Sequence, residues 1–287
     1  MNYDDGMTDR VPSPIVALAL SSHPGPGVAV SVVTLVLGIG IGLDPWRFVL
    51  LGVAMLVGQV SVGLSNDWID AARDTAVGRT DKPVARGWIA ASTVRTAAFA
   101  TAALAVLLTV PLGLPATVAH TVFIASAWSY NAGLKKTPAS VLPYILSFGS
   151  LPLLATLALP EPAAAAWWGL AAGALLGISA HFANVLPDLA DDAATGVRGL
   201  PHRLGSRASG LVIALALAAA ALLVALGSGR PPLPAQWVGL AVTLALAVVA
   251  GVFAVTRTPT RLLFQLIIAA ALIIVVMLAL SGTRLIA

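Results

Sequence analysis

The segment NDWIDAARD, from Asn66 to Asp74, places Asn66, Asp70 and Asp74 at intervals of four; NVLPDLADD, from Asn184 to Asp192, repeats the spacing with Asn184, Asp188 and Asp192. The offset of 118 residues also carries Gly78 onto Gly196 and Pro83 onto Pro201. On an α-helix such positions share a face and can converge on one point. Seven of the chain's 12 acidic residues belong to these stretches: Asp67, Asp70, Asp74, Asp81, Asp188, Asp191 and Asp192, with Asp191 one residue off the repeated register. Carboxylate and amide oxygens are hard ligands that suit Mg2+, an ion that keeps waters and binds substrate phosphates. Two such clusters fit two or three ions bridging a diphosphate, with Arg79, Lys82, Arg198 and Arg203 completing its neutralisation. Solvated helix ends paired with Arg73 and Arg79 would explain one such segment. Two in the same register, in opposite halves of a charge-poor chain, point to function.

The elements that must hold these residues are built for a bilayer. Hydrophobic residues make up 59% of the 287 and charged residues 10%, with a mean hydropathy of +0.95. A soluble domain carries about 25% charged residues. Uncharged runs long enough for a crossing of about 20 residues predict an all-α membrane protein of nine transmembrane helices, over 24–43, 47–66, 88–110, 115–131, 138–159, 164–186, 207–227, 235–255 and 261–282. Residues 1–12 read as a disordered cytoplasmic tail and 13–287 as one domain with an internal repeat, about 47–159 and 164–282. The repeat offset spans four helices, an even number, so both aspartate segments emerge on the same side. With the N-terminus inside, thirteen of the 16 Lys and Arg fall on inner segments; only Arg47, Arg230 and Arg284 fall outside. The positive-inside rule then puts the N-terminus and both aspartate segments in the cytoplasm and the C-terminus beyond the cell membrane. This asymmetry accounts for a pI near 10.0 without a nucleic-acid partner. With no cysteine, disulfides and thiolate chemistry are excluded. Trp46, Trp88, Trp128, Trp167, Trp168 and Trp237 stand at predicted span ends and read as interfacial anchors.

NDWIDAARD resembles the first aspartate signature, NDxxDxxxD, of the UbiA superfamily of intramembrane prenyltransferases. GRTDKPVARG, which follows, is similar to the basic stretch after that signature, with Lys82-Pro83 at its Arg-Pro or Lys-Pro pair, and DLADD matches the second signature, DxxxD. YNAGLKK is similar to the family's Tyr-x-x-x-Lys element, although Lys135 stands five residues after Tyr130 rather than four, leaving Lys135 and Lys136 both open. The resemblance covers nearly the whole chain and implies a ring of nine helices around a central cavity. It implies that Asn66, Asp67, Asp70, Asp74, Asp188, Asp191 and Asp192 bind Mg2+ and diphosphate, with Asn184 opposite Asn66. The implied reaction is ionisation of an allylic prenyl diphosphate, followed by attack on C1 by a small-molecule acceptor, an aromatic acid or quinone precursor. Tyr130, Asn131, Tyr144, His120 and His181 are candidates for the cavity wall. A membrane terpene cyclase would use the same apparatus without an acceptor. A transporter built from repeats would place polar residues near the midplane, whereas here they cluster at the cytoplasmic ends.

Overall fold

Proline sets the first turn of most of the long helices, where its missing N–H costs nothing. The computed structural model describes residues 11–189, 196–256 and 261–287, apart from the side chains of Asp188, Arg261 and Phe264. Its helices are α1 (Pro14–Ser21), α2 (Pro24–Gly40), α3 (Pro45–Ala76), α4 (Ala91–Thr109), α5 (Leu114–Ala132), α6 (Leu142–Gly149), α7 (Leu151–Leu157), α8 (Trp167–Val185), α9 (Leu200–Leu226), α10 (Pro234–Thr256) and α11 (Arg261–Leu280). Among the described residues the only β-pairing is an isolated bridge between Ala165 and Ile286.

A helix falls on each of the nine predicted segments, but length and hydropathy give fewer crossings. Six stretches are long and apolar enough to span, and a seventh is possible if α1 and α2, bent by 61°, count as one. Three predicted boundaries are corrected. The apolar run before Gly40 holds two helices, because α1 precedes the predicted start and His23, at φ 50°, breaks the chain before Pro24. The predicted helix 138–159 divides into α6 and α7 around Ser150, ahead of Pro152, which can donate no backbone hydrogen bond. α3 continues ten residues past the predicted end at Asn66, so the first aspartate segment is helical rather than a loop. At 1.5 Å per residue its 32 residues reach about 48 Å, against a hydrocarbon core of about 30 Å. The turns from Asn66 onward therefore lie at or beyond the membrane edge if the helix enters near Pro45.

The neighbour relations close a cycle. α2 packs on α3, α3 on α5, α5 on α6, α6 on α8, α8 on α9, α9 on α10, α10 on α11, and α11 returns to α2. Small residues allow the tightest of these approaches: Cβ atoms at Gly173 and Gly177 of α8 would overlap the backbones of Phe148 and Tyr144 in α6. The apolar core runs through these helices from Leu37 and Met55 to Leu217, Ile274 and Met277. Leu215, Val238, Val248 and Leu272 face outward, as a lipid-facing surface requires. Trp46, Trp167 and Trp237 are exposed as anchors should be, but Trp168 is buried, packed into the core beside Gly227.

Candidate functional site

The helical spacing of the first aspartate segment turns Asp67, Asp70 and Asp74 inward, and all three are buried. Asn66 Nδ2 donates to Asp70 Oδ2 at 3.3 Å, the i, i+4 contact expected from the spacing, and to Asn131 Oδ1 at 3.3 Å. Asn131, on α5, is itself fixed by bonds to Ser65 Oγ at 2.8 Å and Val62 O at 3.0 Å.

Buried carboxylates need cations, and three cations meet these. Arg73 Nη2 lies 3.1 Å from both Asp70 and Asp74. Lys82 Nζ lies 3.1 Å from Asp67 and donates to Asn66 Oδ1 at 3.0 Å. Lys135 is buried against Asp70. Burial pushes the Lys135 ammonium below its ordinary lysine pKa, although Asp70 beside it works in the opposite direction. Lys136 is exposed, so of the two lysines it is Lys135 that joins this cluster. Lys135→Met is expected to lower activity by about 10–100-fold, as loss of a supporting contact to a ligand does, and Lys136→Met to leave it unchanged. Initial rates of the two purified variants check this.

The cluster stands at one end of a cavity of about 560 Å3, within the usual range for small-molecule sites. Asn66, Tyr130, Asn131, Tyr144 and Asn184 line it, so the asparagines of the two repeated segments face one space. Its walls are otherwise mostly apolar, from Val30, Val33 and Leu37 to Leu176 and Val275. The Tyr130 ring packs edge-on against Tyr144 and His181, at centroid distances of 5.2 and 5.7 Å.

Other predicted residues lie elsewhere. Arg79 forms a two-pronged pair with Asp81, both contacts 2.7 Å, and holds that carboxyl down at about 2. Arg198 and Arg203 are exposed, and Arg203 Nε donates to the Arg198 carbonyl at 3.3 Å. His120 and His181 do not line the cavity. His120 shares a 2.8 Å bond with Thr109, and His181 one of 3.0 Å with Ser140, so both are interhelical fasteners. Asp191 and Asp192, and the side chain of Asp188, lie outside the described residues.

Sequence reasoning missed two members of the site. Arg73 was visible only as a partner for the aspartates. His23 lines the cavity, its Nε2 2.9 Å from Lys82 Nζ and 3.6 Å from Asp67. A lysine ammonium has no lone pair to offer, so in the Lys82 contact it is His23 Nε2 that accepts. The only signal in the sequence was the proline–glycine run after it.

Oxygen donors dominate the cluster, and Asp74 Oδ2 is buried without a hydrogen-bond partner among the described residues. A hard divalent cation suits such a donor set. Among the described residues, however, no three acidic or histidine groups gather closely enough to hold a metal ion.

An all-helical bundle with apolar helices long enough to cross a membrane, and buried carboxylates behind one end of an apolar cavity, defines a class of intramembrane protein. The UbiA prenyltransferase family model matches residues 27–257, and the chain belongs to that family. No curated protein matches it. Solved structures share the fold at low identity. A UbiA homologue from Archaeoglobus fulgidus bound to GPP and Mg2+ is similar at TM-score 0.70 and 14% identity, over 92% of this chain and 99% of that one. A digeranylgeranylglyceryl phosphate synthase gives 0.69 and 15%, over 93% and 97%. An apo UbiA homologue from Aeropyrum pernix K1 gives 0.66 and 18%, over 92% and 96%.

Proposed function

We propose that this protein is a Mg2+-dependent intramembrane prenyltransferase that ionises an allylic prenyl diphosphate and joins the prenyl group to an acceptor. The observation that carries the proposal is Asn66, which lines the apolar cavity and bonds Asp70, with Asp67 and Asp74 buried beside it: an anion-and-metal end joined to a hydrocarbon end. The family membership and the GPP and Mg2+ bound to the A. fulgidus homologue support it. In this reading Asp188, Asp191 and Asp192 complete the ligand set from the second repeat. The protein crosses the cell membrane nine times in a ring, with both segments and the N-terminus cytoplasmic.

The C1–O bond to diphosphate breaks, the electron pair leaves with the diphosphate, and a nucleophilic atom of the acceptor bonds to C1; the proton lost by the acceptor leaves with the diphosphate. When bound, Mg2+ supplies charge neutralisation to the leaving oxygens. Lys82, Lys135 and Arg73, now holding the carboxylates, are the cations nearest the incoming anion, and Arg79, Arg198 and Arg203 are further candidates at the loops. Fixed charges aimed at a developing anion are the largest source of rate in such sites. Val30, Val33, Leu176 and their neighbours exclude water from the allylic cation, and the Tyr130 and Tyr144 side chains line the same space.

A terpene cyclase on the same apparatus would need no acceptor. Titration calorimetry with farnesyl thiodiphosphate tests the metal half of the proposal. Affinity is expected to fall at least about 100-fold in EDTA and to return with Mg2+ or Mn2+ but not Zn2+, because the donors are oxygens. Equal affinity in EDTA would mean that the cations alone hold the ligand.

A further inference from the structure

Gln59 lies on α3 seven residues before Asn66, so it stands about 10 Å deeper along the helix. It is 91% buried and lines the cavity. Its Nε2 has only the Met55 sulfur at 3.9 Å, and its Oε1 accepts no hydrogen bond among the described residues. An amide at membrane depth with unused hydrogen-bonding capacity is costly and marks function by default. A hydrocarbon tail has nothing to give it. The charge of the cavity wall also matters: among the described residues its lining includes no Asp, Glu, Lys or Arg. Lys82, behind Asn66 and His23, serves the end nearest the aspartates. A carboxylate carried deeper, beside Gln59, would find no cation among the described lining residues, and burying an unpaired charge is far costlier than burying a hydroxyl.

Resting on the prenyltransferase reading, we infer that Gln59 recognises the acceptor, and that the acceptor is an uncharged molecule bearing a hydroxyl or carbonyl oxygen. Of the two acceptor types that the sequence leaves open, this selects the quinone precursor over the aromatic acid. The amide both donates and accepts, so it can serve a phenol, a quinol or an alcohol. His23 adds a second polar side chain to the same wall, nearer the aspartates. A cyclase gains nothing from either group.

The test uses the full-length protein in detergent with Mg2+ and farnesyl or geranylgeranyl diphosphate. Hydroquinone, 2-methyl-1,4-naphthoquinol and a long-chain alcohol are the neutral acceptors, and 4-hydroxybenzoate is the anionic one. At least one neutral acceptor is expected to exceed 4-hydroxybenzoate in kcat/KM by 10-fold or more. Gln59→Leu is expected to raise the KM for that acceptor at least 10-fold, leaving the KM for prenyl diphosphate within twofold and the Tm unchanged or higher. A purely structural glutamine would move the Tm and both KM values together. Superior use of 4-hydroxybenzoate overturns the inference, as does an unchanged acceptor KM in Gln59→Leu. So does consumption of prenyl diphosphate with none of the neutral acceptors prenylated. If prenyl diphosphate is neither bound nor consumed by the wild type, the prenyltransferase reading falls first and this inference with it. The wild-type comparison stands even if Gln59→Leu fails to fold.

Discussion

Asp70→Asn is expected to lower prenyl-diphosphate turnover by about 10^2–10^3-fold or more, the range seen when one preorganised electrostatic contact to a developing charge is lost. Asp70 is the hub of the first aspartate segment: its carboxylate meets Asn66, Arg73 and Lys135 together. The asparagine keeps the shape but removes the charge that holds two cations and that the proposed function assigns to the metal. Asp70→Ala goes further, because it leaves Lys135 buried without its carboxylate. Removing one partner of a buried pair costs about 3–5 kcal/mol, so its Tm should fall as well. The double variant Asp70→Ala/Lys135→Met should recover much of that stability and none of the activity, which separates charge burial from chemistry. Asp188→Asn should match Asp70→Asn if the second segment supplies the other half of the site. Steady-state rates and thermal melts of these four proteins check the argument. Activity of Asp70→Asn within a few-fold of wild type would remove Asp70 from the ligand set.

Periodicity made the face of α3 legible. A spacing of four on a helix puts Asn66 over Asp70, and the 3.3 Å bond between them is the result. Composition made the bilayer legible, since backbone polar groups are satisfied in lipid only in helices or closed barrels, and uncharged runs of about 20 residues select helices. The bend between α1 and α2 was not legible, because a run of apolar residues carries no mark of where it turns, and a positive φ such as the 50° of His23 is uncommon at any residue other than glycine. Nor was the separation of Arg79, Arg198 and Arg203 from Lys82. All four stand near an aspartate in sequence, but only tertiary packing decides which cation turns inward, and Arg79 is taken by Asp81 two residues away. Lys135 and Lys136 were equivalent on paper; the short 3-10 turn of Leu134–Lys136 after Gly133 buries one and exposes the other. Gln59 gave no sequence signal beyond being polar in a long apolar run, and its meaning comes from the cavity it faces. Gly78 and Gly196, 118 positions apart, both adopt positive φ, 68° and 79°. The chain thus turns alike after each aspartate segment, at positions where glycine bears no Cβ penalty.

Gly63→Ala is expected to be among the most damaging single-methyl changes in this protein. Gly63 lies on α3 one turn before Asn66 and Asp67, and a Cβ there would overlap the carbonyl and Cα of Ser22. The obstruction is backbone, which cannot rotate aside as a side-chain tip would. Either α3 or the α1–α2 bend must move. Overpacking of this kind costs about 1–3 kcal/mol, and rigid neighbours put it at the upper end. The functional loss should exceed the loss of stability. Ser22 and His23 both line the cavity, and His23 reaches Lys82 at 2.9 Å from a left-handed conformation that only the surrounding packing maintains. Displacing the bend by about 1 Å would part His23 from Lys82 and loosen Lys82 on Asp67, and misplacement of that size costs about 10^2-fold in rate. Gly25→Ala is the control: it lies in the first turn of α2, two residues beyond His23, and nothing stands within 4 Å of its Cβ. Alanine there should be neutral or stabilise by about 0.5–1 kcal/mol. Thermal melts and prenyl-diphosphate turnover of the two variants should therefore diverge sharply. If Gly63→Ala melts and turns over like Gly25→Ala, the α1–α2 bend does not rest on α3, and the role of that packing in holding His23 on Lys82 fails with it.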